Sequence, residues 1–222
     1  MSAKPILSVA NAVGEGHSPC NFTFNPAWVP GANPPGMFVR AAECPEAWGG
    51  DNDKILFAPC SLDGKCEAPW QSSRFSFPEG SEDPRVVFDA ATGTWVNFWY
   101  QPGSSSSCSG SQCTVALGFS KDPLNASSWS AEDPIRLPWH RNGCLLLRNS
   151  PPHYAIFGEG PGPLPGIGIA STMDLRSYTT LNATWLLPLG AAEDEIKLEA
   201  ATPPVRLSTG DYLFFYAAAT PG

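Results

Sequence analysis

The sequence is poor in positive charge, and its few basic residues are scattered. Thirteen Lys and Arg stand against 21 Asp and Glu, which gives a formal net charge of −8 at pH 7. A nucleic-acid-binding surface needs clustered basic side chains, commonly interleaved with aromatic ones, to neutralise phosphates and stack on bases. No such cluster occurs in this sequence, and we therefore exclude nucleic acid as a partner.

Long apolar runs and helical patterns are also lacking. The longest apolar runs, residues 143–147 and 212–219, fall short of the roughly 20 residues that a transmembrane helix needs, so no membrane span is predicted. Helical spacing of apolar residues is nearly absent, and only residues 191–200 have room for a helical turn or two. Gly (21) and Pro (24) are abundant, while 42% of the residues are hydrophobic. This composition indicates a folded chain of short, punctuated elements.

Short apolar runs bounded by turn-forming residues recur along the whole chain, which is typical of β-strands. We predict strands at residues 37–42, 54–58, 85–88, 94–100, 114–119, 144–148, 154–157, 167–170 and 212–217. The predicted fold class is therefore all-β.

A faint internal repeat favours one β architecture. A strand ends at Ser120-Lys121-Asp122 before a loop to Trp129, and about one blade later a strand ends at Asp174-Leu175 before a loop to Tyr178. Four-stranded blades around a central channel produce such spacing and gather loops at one end of the axis. We predict a single domain over residues 1–222: a five-bladed β-propeller with about four blades present and the last one missing at the C-terminus. A β-sandwich is the alternative.

Seven cysteines and three glycosylation sequons indicate a secreted protein, although the N-terminal segment lacks the apolar core of a signal peptide. The turn-like spacers between cysteines favour local disulfides. The predicted pairs are Cys60–Cys66 and Cys108–Cys113, with Cys20–Cys44 as a third that the count allows. Cys144 is left over inside an apolar run and is expected to be a buried free thiol. No Cys-x-x-Cys pair or His cluster offers a zinc site, so no metal is predicted.

The strand predicted at residues 85–88 has a charged entrance, Glu82-Asp83-Pro84-Arg85. Charges beside a buried strand need partners. Cleavage of a glycosidic bond requires a carboxylic acid that protonates the leaving oxygen, with a nucleophile on the opposite face, and Asp83 is a candidate for that acid. The structural alternative is a turn in which Asp83 caps backbone groups and Arg85 forms a surface ion pair.

Several motifs occur in a definite order between residues 21 and 216. They are Asn25-Pro26-Ala27 with Phe38-Val39-Arg40, then Glu82-Asp83-Pro84-Arg85, then His140-Arg141-Asn142-Gly143, and last Glu199 followed by Pro203-Pro204 and the strand ending at Tyr216. This set resembles glycoside hydrolase family 130, the inverting β-mannoside phosphorylases and related mannosidases. The resemblance implies a propeller fold in which Asp83 is the general acid.

The resemblance also implies roles for the residues around Asp83. Arg40 would clamp sugar hydroxyls with its planar guanidinium, and Asn25 would line the same pocket. Arg85 would either contact the sugar or pair with Asp83, and both roles stay open. The structural alternatives are that Asn25 caps a turn and that Arg40 pairs with Glu43.

The sequence motifs identify the nucleophile of the reaction, phosphate or water, less clearly than the acid. Phosphate would need a cluster of cations and donors, for which the candidates are Arg141, Asn142 and His153, with Arg148 as a further one. Arg141 stands where the phosphorylases of the family carry a Lys, and His153 matches only approximately. Water would instead need a base, for which Glu199 and Asp211 are available, Asp211 being also a candidate substrate contact. Each of these two acids has the alternative of satisfying turn backbone.

Aromatic residues divide into two groups. Trp95 and Trp99 alternate within a strand and are expected in the packing between blades. Trp28, Trp70 and Trp139 lie in Pro-rich segments and are candidates for stacking on a sugar ring.

We expect a carbohydrate-active enzyme that cleaves β-mannosidic or similar bonds of an oligosaccharide or glycan with inversion, by hydrolysis or phosphorolysis. No cofactor is predicted, and inorganic phosphate would be the co-substrate of phosphorolysis. The main alternative is a non-catalytic glycan-binding or structural propeller. An arabinanase-like or invertase-like hydrolase is less favoured, because it requires a catalytic Asp in the first strand. The oligomeric state stays open.

Overall fold

The computed structural model describes residues 22–42, 54–61, 66, 81–101, 114–125, 128–131, 143–158, 166–181, 187–188 and 197–219. These ranges consist of strands joined by turns and irregular segments, without an α-helix. The prediction of an all-β chain is confirmed. None of the described segments is a helix long and apolar enough to cross a membrane.

The strands form a succession of antiparallel sheets. The first sheet contains β1 (Phe22–Val29), β2 (Gly36–Ala42) and β3 (Lys54–Pro59), and the second contains β4 (Glu82–Asp89), β5 (Thr94–Gln101), β6 (Thr114–Ser120) and β7 (Ser130–Ala131). The third contains β8 (Cys144–Leu146), β9 (His153–Gly158), β10 (Gly166–Thr172) and β11 (Tyr178–Thr180), with β12 (Leu187–Pro188) on the other end of β10. Finally, β13 (Lys197–Ala200) pairs with β16 (Tyr216–Ala219) around a hairpin of β14 (Val205–Arg206) and β15 (Tyr212–Leu213).

Each of the first three sheets is a meander that packs against the next, as blades do around a propeller axis. β1 contacts β4 and β4 contacts β8, so the first strands of the three sheets lie side by side. β13 continues this order and contacts β9 and β10 of the third sheet. The predicted propeller-type fold is confirmed, whereas the total number of blades and the missing blade stay predictions.

Alternation along β5 allows the second sheet to pack on both of its neighbours. Trp95 and Trp99 pack with side chains of the first sheet, whereas Val96 and Phe98 pack with those of the third. The predicted packing role of the two tryptophans is confirmed. Burial of a large apolar side chain stabilises the fold by roughly 1.5–3 kcal/mol, so these two faces hold the three sheets together.

The internal repeat corresponds to one turn used twice, between the third and fourth strands of a sheet. It contains Asp122 and Trp129 in the second sheet, and Asp174 and Tyr178 in the third. Each aspartate accepts the backbone N–H of the residue two positions later. The Trp129 Nε1–H and the Tyr178 hydroxyl each donate to the carbonyl of the residue that follows their aspartate. The predicted repeat is therefore confirmed as a structural one.

The strand predicted at residues 212–217 is in fact two strands. Residues 212–213 form β15, which pairs with β14, and residues 216–219 form β16, which pairs with β13. The chain changes partners at Phe214-Phe215, where the Phe215 carbonyl accepts the N–H of Ala201. Residues on both sides of this change are apolar, so the composition of the run does not mark it.

Two further elements differ from the sequence expectation. Residues 197–200 form β13 rather than a helical turn, because Leu198 and Ala200 are buried against the third sheet and packing outweighs local preference. β4 begins at Glu82, so the charged motif lies inside the sheet and not before it.

The cysteines agree with the prediction where they are described. Cys60 and Cys66 form a disulfide, and Cys144 is a buried free thiol. Burial raises the pKa of Cys144 to about 12, because the thiolate would have to leave water. The remaining predicted pairs, Cys108–Cys113 and Cys20–Cys44, lie outside the described residues.

Candidate active site

Two neighbouring strands carry the same irregularity. The pairing of β1 with β2 shifts register at Asn25-Pro26, and the pairing of β4 with β5 shifts at Asp83-Pro84. Each shift is a β-bulge, in which two residues face one on the partner strand. Proline has no N–H to give to a sheet, and a bulge is one of the places where a strand tolerates it. Because β1 contacts β4, the two bulges belong to adjacent strands.

The bulge in β4 directs two successive carboxylates to one cation. Successive side chains of a regular strand point to opposite faces. Glu82 Oε2 nevertheless lies 2.7 Å, and Asp83 Oδ1 3.4 Å, from Nη1 of Arg40 in β2. Asp83 has a φ of 52°, a left-handed conformation that costs a non-glycine residue about 1–2 kcal/mol. Bulges re-aim side chains in this way, and strained residues of this kind cluster at functional sites.

The Arg40 cluster is almost removed from water. The side chains of Arg40, Glu82 and Asp83 are 13%, 5% and 7% exposed. Buried carboxylates require compensation, which Arg40 supplies from the first sheet. Glu82 is the closer ion-pair partner of Arg40, and Asp83 is the more distant one. Glu43, the alternative partner considered for Arg40, lies outside the described residues.

Arg85 lies inside the protein on the far side of the bulge. Its Nη1 donates to the carbonyl of Pro84 at 2.9 Å, and its Nη2 donates to the carbonyl of Ala200 in β13 at 3.5 Å. Burial lowers the pKa of Arg85, while the nearby charges of Asp83 and Glu199 act in the opposite direction. An arginine stays charged under such conditions. The alternative of a surface ion pair is wrong, because Arg85 is a buried cation between β4 and β13.

Glu199 reaches the same neighbourhood from β13. It is half-buried, and the residue after it accepts the hydrogen bond from Arg85. The structure thus brings Arg40, Asp83, Arg85 and Glu199 together. Within the described ranges, no group of three or more His, Cys, Asp or Glu side chains is placed to hold a metal ion.

The other predicted site residues are placed differently. Asn25 lies in the bulge of β1, next to the residue that pairs with Arg40. Asp211 is exposed in the turn between β14 and β15, where its carboxylate accepts the Thr209 hydroxyl at 2.8 Å. Arg141 and Asn142 lie outside the described residues.

His153 lies at the opposite end of β4 from Asp83. Burial lowers the pKa of His153, while the charge of Asp89, at the end of β4, acts in the opposite direction. Six residues of strand separate Asp83 from Asp89, or roughly 20 Å at about 3.3 Å per residue. The Nδ1 atom of His153 accepts the backbone N–H of Arg148 at 3.1 Å. The structure therefore does not bring this candidate phosphate ligand to Asp83.

A cavity of about 580 Å³ opens beside Arg85, between the first strands of the sheets. Its lining is apolar apart from Arg85 and Thr202 and includes Trp28, Phe88, Leu147, Pro203 and Val205. Trp28 is exposed, as a residue that stacks on a sugar ring must be.

Two residues of the site were not singled out from the sequence. Glu82 belongs to the charged motif, but only the bulge shows that it shares Arg40 with Asp83. Asn97 is fully buried in β5, and its Oδ1 accepts the backbone N–H of Arg85 at 2.9 Å. A lone amide inside the apolar run at residues 95–99 was the signal that could have identified it.

No protein-family model matches the chain, and no curated protein sequence matches it. Solved structures do resemble it. A glycosyl hydrolase from Bacteroides ovatus superposes with a TM-score of 0.66 at 18% identity, over 88% of this chain and 60% of that one. A structure described with the family 130 mannoside phosphorylases, a family containing hydrolases that target β-1,2 mannosidic linkages in Candida mannan, has a TM-score of 0.67 at 17% identity, over 94% and 66%.

A third structure, an endo-1,4-β-xylanase from Bacteroides thetaiotaomicron, superposes with a TM-score of 0.62 at 14% identity, over 96% of this chain and 69% of that one. At such identities the similarity shows a common fold. The chain spans 60% and 66% of the length of the first two structures. The resemblance to glycoside hydrolase family 130 that the motifs indicated is confirmed at the level of the fold.

Proposed function

We propose that this protein is a carbohydrate-active enzyme that cleaves β-mannosidic or similar glycosidic bonds with inversion. The observation that carries this proposal is the bulge in β4, which holds Asp83 in a left-handed conformation and places it with Glu82 against Arg40. Strain and buried charge are unfavourable for stability alone, and together they are typical of a catalytic centre.

Asp83 acts as the general acid in this proposal. It transfers a proton to the glycosidic oxygen, directly or through a hydroxyl of the substrate, as the bond between that oxygen and the anomeric carbon breaks. A nucleophile forms a new bond to the anomeric carbon from the opposite face, and a single displacement inverts its configuration. Glu82 neutralises Arg40 at the shorter distance, so the proton transfer falls to Asp83.

Hydrolysis is the form of this reaction that the described residues favour. Glu199 is a carboxylate near Arg85, and as a base it would take a proton from the attacking water. His153, from the candidate phosphate set, lies at the other end of β4. Phosphorolysis would depend on Arg141 and Asn142 without this histidine.

A second candidate function is glycan binding without turnover. The cavity beside Arg85 favours it, because an apolar wall with the exposed Trp28 would bind the apolar face of a sugar whether or not Asp83 transfers a proton. Binding with no product in either water or phosphate would identify this function.

The test is incubation of the protein with β-1,2-mannobiose and β-1,4-mannobiose, with and without inorganic phosphate. Hydrolysis yields mannose alone, whereas phosphorolysis yields mannose and mannose 1-phosphate in a phosphate-dependent reaction. Asp83→Asn should lower kcat by about 10²- to 10⁴-fold, the usual contribution of a general acid.

Asp89→Asn is the matched control, since Asp89 is the carboxylate at the other end of β4 and bonds to the β4–β5 turn. This variant should keep kcat and lose some thermal stability. Full activity of Asp83→Asn would refute the assignment.

We also infer maturation in an oxidising compartment, because the Cys60–Cys66 disulfide persists where thiols are not kept reduced. Peptide mass spectrometry of the protein from its natural source, with and without reduction, tests this. A reduced Cys60–Cys66 pair would contradict it.

A further inference from the structure

Asn97 is a buried polar residue that has no role in the proposed reaction. It has no exposed surface and lies between Trp95 and Trp99, on the face of β5 toward the first sheet. Its Oδ1 accepts the N–H of Arg85 at 2.9 Å, while its Nδ2 has no acceptor among the described residues. A buried amide with one side unused is unfavourable for stability. We therefore look for the contribution of Asn97 in its hydrogen bond to the backbone N–H of Arg85.

The first sheet has the same register without such an amide. In each of the two sheets, the second residue after the bulge proline pairs with a residue of the next strand. That residue is Asn97 in the second sheet and Met37 in the first. An apolar side chain therefore fits at this position of the fold. The amide occurs in the second sheet, whose bulge contains Asp83.

The hydrogen bond to Asn97 anchors the end of that bulge. Pro84 has no N–H, so the N–H of Arg85 is the first backbone donor after Asp83. A residue in the left-handed region persists only where its surroundings hold it there. The direction of the Asp83 side chain in turn sets its distance to Arg40.

We propose that Asn97 is a positioning residue: through the Arg85 amide it holds the bulge that aims the Asp83 carboxylate at the scissile bond. This inference rests on the proposed function, because it assigns Asn97 to the same reaction. Asn97 does not touch the reacting atoms and acts through backbone geometry alone.

The experiment compares three variants of the protein. Asn97→Leu removes the acceptor at similar volume, Asn97→Asp keeps an acceptor oxygen, and Met37→Leu is the matched control at the equivalent position of the first sheet. Each variant is studied by crystallography, by its melting temperature, and by kcat and KM measured separately on β-1,2-mannobiose. If Asn97→Leu does not fold, Asn97→Ser replaces it, since a serine hydroxyl is too short to reach the Arg85 amide.

Asn97→Leu should lower kcat by about 10- to 100-fold with KM within about threefold, the effect of a small misplacement of a reacting group. The kcat of Asn97→Asp should stay close to that of the unaltered protein, and Met37→Leu should leave kcat unchanged. The Asn97→Leu structure should show Asp83 outside the left-handed region or its contact with Arg40 lost.

An unchanged bulge in Asn97→Leu would overturn the inference whether or not the protein is active. A loss of kcat that Asn97→Asp does not restore would make Asn97 a structural residue and would also overturn it. If the unaltered protein turns over no substrate while the bulge moves in Asn97→Leu, the positioning of Asp83 is upheld and the proposed function is refuted, so the two failures are distinct.

Discussion

The first two sheets share one scaffold and differ in the charges that they place on it. Both begin with a strand bulged at a proline, after Asn25 in one sheet and after Asp83 in the other. The residue before each bulge pairs with Arg40 in the first sheet and with Tyr100 in the second. The first sheet thus supplies a cation where the second has an aromatic residue. The second supplies the carboxylates of Glu82 and Asp83 where the first has Phe24 and Asn25.

This difference teaches that the candidate site belongs to neither sheet alone. The carboxylates of β4 are buried and take their counter-charge from β2, so the two copies of one structural unit complete each other. A substitution of a charged residue in one sheet should therefore alter the stability of the other.

The largest expected effect on stability comes from removing the shared cation. Arg40→Met leaves Glu82 and Asp83 buried without it, and should lower the free energy of unfolding by about 3 kcal/mol. Urea unfolding measures this loss. The double variant Arg40→Met/Glu82→Gln should be more stable than Arg40→Met, because the strongest orphaned charge is gone. Additive effects of the two substitutions would show that the sheets are not coupled through Arg40.

A smaller effect on stability should distinguish the two bulges, because Asp83 has a positive φ. Among the described non-glycine residues, only Asp83 and Leu175 have positive φ. Asp83→Gly should therefore be more stable than Asp83→Ala by about 1 kcal/mol, because glycine enters the left-handed region without steric cost. At Asn25 the order should reverse, since glycine there only adds freedom to the unfolded chain. The same order at both positions would contradict the difference between the bulges.

The smallest effect extends the comparison to the turn that the second and third sheets share. Hydrogen bonds from the backbone N–H groups of Ser177 and Arg176 hold the pKa of Asp174 at about 2, below its ordinary value of 3.8. A lowered folded-state pKa stabilises the protein above the unfolded value, and that stabilisation is lost as the pH falls from 3.8 towards 2. Asp174→Ala should lower the melting temperature by roughly 2 °C at neutral pH.

The difference between Asp174→Ala and the unaltered protein should shrink over that acidic range. Asp122→Ala is the matched variant in the second sheet and should cost less, because Asp122 accepts one backbone N–H where Asp174 accepts two. A pH-independent difference for Asp174→Ala would exclude the carboxylate as its cause.

Strands were predictable from the sequence wherever their signal is local. The strand predicted at residues 94–100 is observed as Thr94–Gln101, since its alternating side chains pack on two opposite sheets. The prediction for residues 212–217 failed because the change of partner there depends on β13 and β14, which lie elsewhere in the chain.

The site was predictable only in part, for a related reason. The motifs identified Arg40, Asp83 and Arg85 by type, and the structure brings them together. The order of motifs along a chain contains no distances, so it did not reveal that β4 separates His153 from Asp83. The part played by Asn97 depends on a register shift between two strands, which no local pattern encodes.

Cys144 offers a way to observe the motion of this region. Its thiol is fully buried in β8, and burial raises its pKa to about 12, so it cannot react while the strand is in place. Each alkylation at Cys144 therefore records an opening event of the third sheet beside Arg85. Followed by peptide mass spectrometry, the labelling rate in native conditions would measure the free energy of that local opening. The rate of Cys144 alkylation would thus report how often the strands beside the candidate site open.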